Sequence, residues 1–295
     1  MNSVSAQRTS ASGTAPDAKP SSIHAGTPIT LGPRQSCPRT TQIQKHPPRS
    51  LFKVALRTAR NGKHEYGITR TASDLAGPRR LARRLVLGSL EEKLTERGWT
   101  VSSLDLPSVA EKGAPRLGMH DDAEAVRTAL ESLDGPIIIV AHSYGGVPVS
   151  EGAAGAPNVV HLIYLAAFQL DVTESLLALT GGKHPAWANV DEDVVTVSTP
   201  REVFFADVEE DVAADAIAKL LPHSLTAQKE KVTAAAWKTI PSTYVVCELD
   251  NALPVAAEEA MAARAGHVVR LPTSHSPFLS RPDDVVRIIE AAVGQ

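Results

Sequence analysis

Cysteine is almost absent from this chain, with only Cys37 and Cys247 in 295 residues. Two thiols separated by most of the sequence make neither a disulfide framework nor a zinc site, and a reducing cytoplasm is the expected location. Long apolar runs are missing too. The longest, residues 159–168 and 136–141, fall well short of the roughly 20 residues that span a bilayer, so no membrane partner is expected. No histidine pair stands at metal-ligand spacing beside an acid, and no G-x-G-x-x-G or phosphate loop occurs. Neither a metal nor a cofactor is expected.

Acidic residues are scarce at one end only. Residues 1–88 carry 15 Lys and Arg against Asp17, Glu65 and Asp74, a balance of +12. The remaining 207 residues carry 15 Lys and Arg against 30 Asp and Glu, a balance of -15. Up to about residue 62 the chain is rich in Ser, Thr, Pro and Arg and lacks sustained periodicity, a composition that buries too little apolar surface to offset ordering. We therefore expect residues 1–72 to form a disordered or spurious extension ahead of a domain over 73–295. The arginine pairs Arg79, Arg80 and Arg83, Arg84 lie too deep, with no apolar core after them, for a twin-arginine signal. The basic region has no interleaved aromatics and no recognisable module, so no nucleic-acid partner is expected.

From Ser89 onward helices and strands alternate. Leu90 and Leu94 mark a short helix stopped at Gly98, and residues 99–106 read as a strand. Ala123, Val126, Leu130 and Leu133 share one face of a helix over 121–133. The β-branched run 137–140 reads as a central parallel strand buried on both faces, followed by a helix over 147–154 and a strand over 159–167. Strand signals then vanish between about 168 and 240, where helical patches at 174–179, 212–221 and 226–238 suggest a lid. They resume at 243–247 and 268–271, with helices at 254–265 and 282–293. This order predicts an α/β protein with a doubly wound, mostly parallel sheet and a helical insertion over the strand ends.

The sequence Ala141-His142-Ser143-Tyr144-Gly145-Gly146 joins the buried run to a helix. It is a G-x-S-x-G nucleophile elbow with Ala at the first position, in the strand–turn–helix setting that lifts a serine above a sheet. An ordinary Gly-rich turn would also fit the pentapeptide alone. An orienting acid and a base should follow in the order Ser…Asp…His. Asp250 stands just past the strand at 243–247, with Glu248 as the alternative acid, and His275 stands just past the last strand. Helix capping would explain Asp250 by itself, and a surface loop would explain His275; the ordered combination favours a triad. His142 is read as supporting the elbow, His161 as lying in a strand, and His120, His184, His223 and His267 as solvated.

These motifs resemble the α/β-hydrolase superfamily, in its small methylesterase and hydroxynitrile-lyase-like branch, over about residues 89–293. The resemblance is carried by Asp105-Leu106-Pro107, the Ser143 elbow, Leu162-Ile163-Tyr164-Leu165-Ala166-Ala167-Phe168, the stretch from Tyr244 to Asp250, and His275-Ser276-Pro277. It implies the α/β-hydrolase fold, with Ser143 as nucleophile, His275 as base and then acid, Asp250 as orienting acid, and the Tyr144 backbone N–H as one oxyanion donor. Hydroxynitrile lyases of the branch place a lysine after the catalytic histidine, where this chain has Ser276. Haloalkane dehalogenases use an aspartate nucleophile, where this chain has Ser143. A small, fairly apolar ester is thus the expected partner. Phe168, Trp187, Phe204, Phe205 and Trp237 are candidates to line its pocket, although lid packing accounts for each equally well. Monomer and homodimer are both compatible with this reading.

One family feature is missing. The family opens with a β-strand running into an H-G-x-x-H-G type loop whose backbone gives the second oxyanion donor. Here the corresponding place is held by Pro78-Arg79-Arg80-Leu81-Ala82-Arg83-Arg84-Leu85-Val86-Leu87. Those residues can be encoded by CCA CGG CGC CTG GCA CGG CGC CTG GTG CTG. Read one base later, into the G of Gly88, the same bases give HGAWHGAWCW. A frame change near Gly88 would account for both the missing loop and the switch in charge; a basic amphipathic helix is the other reading. The alternative function is accordingly a catalytically impaired ligand-binding protein that retains the fold but lacks half of its oxyanion hole.

Overall fold

The computed structural model describes residues 53–58, 88–111 and 113–292. In chain order its first half contains β1 (Lys53–Thr58), α1 (Gly88–Glu96), β2 (Thr100–Asp105), α2 (Met119–Glu131), β3 (Ile137–His142), α3 (Gly146–Gly152) and β4 (Val159–Leu165). An insertion follows, with α4 (Leu176–Leu179), β5 (Ala188–Asp191), β6 (Val194–Val197), α5 (Pro200–Phe204), α6 (Glu210–Ile217), β7 (His223–Ser224) and α7 (Leu225–Lys229). The chain closes with β8 (Ser242–Cys247), α8 (Val255–Ala262), β9 (His267–Leu271), α9 (Pro277–Ser280) and α10 (Pro282–Ala291).

β3 organises the central sheet, whose strand order is β2-β1-β3-β4-β8-β9. All six β3 residues are buried, which suits its unbroken apolar sequence. Successive side chains of a strand point to opposite faces. Ile137, Ile139 and Ala141 accordingly join the core layer containing Val126 and Leu130 of α2, Val147 and Val149 of α3, and Met261 of α8. Ile138 and Val140 join the other layer, with Leu90 and Leu94 of α1 and Val285, Val286 and Ile289 of α10. β4 repeats the division, sending Leu162 and Tyr164 to the first layer and Ile163 and Leu165 to the second. The three-layer α/β architecture follows from this alternation. Strands β3, β4, β8 and β9 are parallel, so the chain leaves each at the same sheet edge.

Residues 53–58 differ from the compositional expectation of an unstructured extension. They form β1, antiparallel to both β2 and β3, with Lys53 opposite Asp105 and Val54 opposite Ala141. Thr58 lies opposite Ile137 and Thr100, at the start of those strands. The chain therefore enters β1 at the edge where the other strands end, and leaves it at the opposite edge. The rest of 1–72, and the segment 78–87 with its shifted reading, lie outside the described residues.

The insertion also departs from expectation. Besides its helices it contains a three-stranded antiparallel sheet, β5-β6-β7. Glu192 and Asp193 connect β5 to β6, pairing Asp191 with Val194, and Glu192 adopts φ 55. That left-handed turn is usually carried by Gly or Asn, so Asp-Glu-Asp hid the hairpin from the sequence pattern. The helix predicted over 226–238 is broken after Lys229: Glu230 is extended and its carboxylate accepts from the N–H groups of Met119 and His120 at 2.6 and 3.2 Å. It thus caps α2, satisfying donors that a helix start leaves open. Among the described residues, no helix is long and apolar enough to cross a membrane.

Because β3 is buried on both faces, truncating it should be costly. Ile139→Ala should lower unfolding free energy by about 2–5 kcal/mol, whereas Val160→Ala, at a half-exposed position of β4, should change it by less than about 1 kcal/mol. Chemical denaturation of both variants checks the pair; similar losses would contradict the central placement of β3.

Candidate active site

The turn after β3 bends the chain sharply. His142 is extended, Ser143 has φ 53, and a short 3-10 turn over Ser143–Gly145 leads into α3. A serine in the left-handed region stores roughly 1–3 kcal/mol of strain, so the surroundings must hold it there. The Phe168 N–H donates to the Ser143 carbonyl at 3.0 Å. The backbones pass so closely that a Cβ on Gly146 would lie 2.5 Å from the Phe168 carbonyl oxygen. Phe168 is therefore half-buried beside the elbow through its backbone. The close approach falls at Gly146, one residue beyond the position that the motif itself emphasises.

The loops after β8 and β9 bring two further groups to Ser143. The Ser143 hydroxyl donates to His275 Nε2 at 2.9 Å, and His275 Nδ1–H donates to Asp250 Oδ2 at 2.6 Å. Asp250 Oδ1 accepts from the N–H groups of Ala252 and Leu253 at 2.6 and 2.9 Å. Burial pushes the Asp250 carboxyl up, but His275 and these donors outweigh it and hold it below the usual carboxylate range. Glu248, the alternative acid, is exposed on the preceding turn. The three residues named from the sequence are thus brought together, all of them buried.

Further buried groups surround this relay: His142, which the sequence placed in support of the elbow, and Glu258 and Asp122, which sequence reasoning passed over. His142 Nε2 donates to the His275 carbonyl at 2.8 Å, and burial together with the nearby His275 pushes its pKa down to about 3. Glu258 of α8 is fully buried and accepts from the Cys247 N–H at 3.0 Å; burial, then the Asp250 charge, pushes its carboxyl up to about 9. Tyr144 points away from the relay. Its hydroxyl donates to Asp122 at 2.7 Å, which also accepts from Ser108 N at 2.8 Å and Ser108 Oγ at 2.5 Å. Burial raises the Asp122 carboxyl to about 6. His223, expected to be solvated, is buried instead: its ring lies 4.1 Å from that of Tyr144, and burial drives its pKa down to about 3. No periodic signal marks these residues, because their partners are distant in sequence.

The pocket candidates separate. Phe204 lies against the relay, its ring stacked 5.3 Å from that of His275. Trp187 meets Phe204 edge-on at 5.8 Å, and fully buried Phe205 meets it at 6.0 Å. Trp237 braces the start of the lid instead. Its Nε1–H donates to the Leu170 carbonyl at 2.8 Å, and Arg264 covers its ring. Two surface cavities, of about 370 and 360 Å³, lie away from the relay, along β9–α10 and beside α2–α3.

Two measurements probe the surroundings of the elbow. Gly146→Ala should destabilise the fold by about 1–3 kcal/mol, since either Phe168 or the elbow must move; an unchanged denaturation midpoint would contradict the close approach. For His223, a folded pKa near 3 against 6.5 when unfolded means that the unfolded chain alone takes up the proton as pH falls. Stability linked to this group is present above about pH 6.5 and is lost toward pH 3. His223→Phe should remove that loss, shifting the variant-minus-wild-type unfolding free energy in the variant's favour by roughly 2 kcal/mol between pH 7.5 and 5. A pH-independent difference would show that His223 is not held neutral.

Residues 75–288 match the model of the alpha/beta hydrolase family. Alpha/beta hydrolase nvfD of Aspergillus novofumigatus is 32% identical over 213 residues, covering 65% of this chain and 85% of that protein. Among solved structures, a pyrethroid hydrolase from Sphingobium faniae superposes with TM-score 0.60 at 23% identity, covering 70% of this chain and 90% of the other. A methylesterase from Arabidopsis does so with TM-score 0.60 at 18% identity, covering 70% and 92%. With most of its length matched to the family, the chain belongs to the alpha/beta hydrolases.

Proposed function

We propose that this hydrolase is a serine esterase acting on a small, apolar ester, with Ser143 as nucleophile, His275 as base and Asp250 as orienting acid. The observation that carries the reading is the unbroken relay from Ser143 Oγ through both nitrogens of His275 to Asp250. In the first step the Ser143 proton passes to His275 Nε2 while Oγ attacks the ester carbonyl carbon. Asp250, its other oxygen filled by Ala252 and Leu253, keeps the proton on Nδ1 and stabilises the imidazolium. The Tyr144 N–H at the head of the elbow stabilises the oxyanion, in a site where a fixed dipole is worth more than in water. Collapse expels the alcohol, which takes the proton from Nε2, and leaves an acyl group on Ser143. Water, activated by His275, then releases the acid. Phe204 and Trp187 supply an apolar wall beside the base. Relatives named as a pyrethroid hydrolase and a methylesterase are in keeping with an ester substrate.

A second reading, a ligand-binding protein with impaired chemistry, is favoured by one observation. β1 runs antiparallel to its neighbours, and its last residue, Thr58, lies beside Ile137, at the far end of β3 from Ser143. The end of β1 thus lies away from the elbow, where the second donor would be needed. Loss of one oxyanion donor costs roughly 10²–10³ in turnover.

A fluorophosphonate probe followed by peptide mapping tests the chemistry. It should label Ser143, and Ser143→Ala should abolish labelling. On p-nitrophenyl acetate, His275→Ala and Asp250→Asn should each cost roughly 10³-fold or more, their combination little beyond either alone, and Glu248→Gln less than about 2-fold. Labelling that survives in Ser143→Ala removes the assignment. Labelling of Ser143 without measurable ester turnover favours the second reading.

A further inference from the structure

One lid segment, residues 200–208, touches both loops that carry the acid and the base. At its start, the Glu202 carbonyl accepts from Asn251 Nδ2 at 3.0 Å, next to Asp250. In its middle, Phe204 stacks on His275. At its end, the carboxylate of Asp207 accepts twice from Ser274, the residue before His275: from the backbone N–H at 3.0 Å and, through the other oxygen, from the hydroxyl. The turn that presents Asp207 is itself fixed, because the Arg201 guanidinium donates to the carbonyls of Phe205 and Val208 on either side, the latter at 2.9 Å.

We infer that Asp207 is a positioning residue for His275, which it aligns by holding both donors of Ser274 from the lid. The inference rests on the serine-esterase reading above. Ser274 is buried, 1% exposed, so without Asp207 its N–H and hydroxyl lose the one fixed acceptor group that holds them, and a water that takes its place is not tied to the lid. His275 has one further anchor in its own backbone, the carbonyl held by His142. The Ser274 N–H precedes the base along the chain and the His275 carbonyl follows it, so the two hydrogen bonds hold the backbone before and after the Cα that carries the imidazole. Asp207 itself is solvent-exposed and fills no core space. Its removal therefore acts through the two hydrogen bonds and not through a cavity. Misplacement of a catalytic group by about 1 Å is enough to cost on the order of 10²-fold in rate.

The full chain is assayed on p-nitrophenyl acetate, with fluorophosphonate labelling rates measured across pH. Asp207→Ala should lower kcat by about 10–100-fold with KM within about 2-fold, and should lower the labelling rate by a similar factor at every pH. Asp207→Asn keeps an acceptor oxygen and should recover part of the loss. Ser274→Ala should fall between wild type and Asp207→Ala, and the double variant should be no slower than Asp207→Ala alone, because the two side chains act through one contact. A purely structural role would shift melting temperature while leaving the labelling rate of the folded protein as in wild type, and that result overturns the inference. So does an Asp207→Asn variant as slow as Asp207→Ala. If the wild-type protein itself is not labelled at Ser143, the esterase reading fails and the inference with it; wild-type labelling with an unaffected Asp207→Ala variant removes the inference alone.

Discussion

A serine held at φ 53 relaxes unless something on each side prevents it, and most of what surrounds Ser143 serves that end. Upstream, β3 is buried on both faces and paired on both edges, so the strand cannot yield. Downstream, α3 follows within a single 3-10 turn and packs against α2, where a Cβ on Gly152 would strike the Ala123 carbonyl oxygen at 2.4 Å. Across the gap, Phe168 closes a backbone hydrogen bond onto Ser143 itself. The strain is local, but the restraint is distributed over three secondary elements and the first residues of the lid.

The same burial that fixes the elbow controls its charge. A carboxylate out of water is costly unless its lone pairs are filled, and Asp250 fills them with His275 and two backbone donors. Its neighbours give up their charge instead. His142 is pushed down to about 3 and Glu258 up to about 9, while burial pushes the Cys247 thiol up as well. Around neutral pH this leaves Asp250 as the ionised member of a group of buried titratable side chains. On the mechanism proposed above, one anion beside His275 favours proton movement from Ser143 toward that imidazole. Two like charges buried so close would repel, which gives a physical reason for Glu258 to be neutral.

How far the sequence discloses all this depends on distance along the chain. α2 was legible because its apolar residues recur at helical spacing, β3 because its β-branched run is unbroken, and the elbow because strand, serine and helix are adjacent. Asp250 and His275 were legible through their place after successive strands. The contacts that tune them were not. Glu258 reaches Cys247 from the next helix, Asp207 reaches Ser274 across 67 residues, and Asp122 reaches Tyr144 across 22. His223 looked like a surface residue because a two-residue strand, His223–Ser224, has no periodicity to reveal which side is covered. The β5–β6 hairpin was hidden by a turn without glycine, and residues 53–58 by a composition in which nothing marks them as a strand.

β1 bears on the surroundings of the Ser143 elbow. Between β2 and β3 it completes the hydrogen-bond ladder of both, so the edges of two buried or half-buried strands are satisfied whichever way it runs. Backbone pairing is nearly indifferent to sequence, and a strand of mixed composition can fill that place. Direction is another matter. A parallel strand there would deliver the chain to the edge where Ser143, Asp250 and His275 assemble; an antiparallel one delivers it to the opposite edge, beside Ile137 and Thr100. The requirement of the sheet is for a ladder, and the requirement of an oxyanion hole is for a donor at one particular end of it. A chain can meet the first without the second, and among the described residues the strand ladder and the Ser143–His275–Asp250 hydrogen bonds are complete whichever end β1 delivers the chain to.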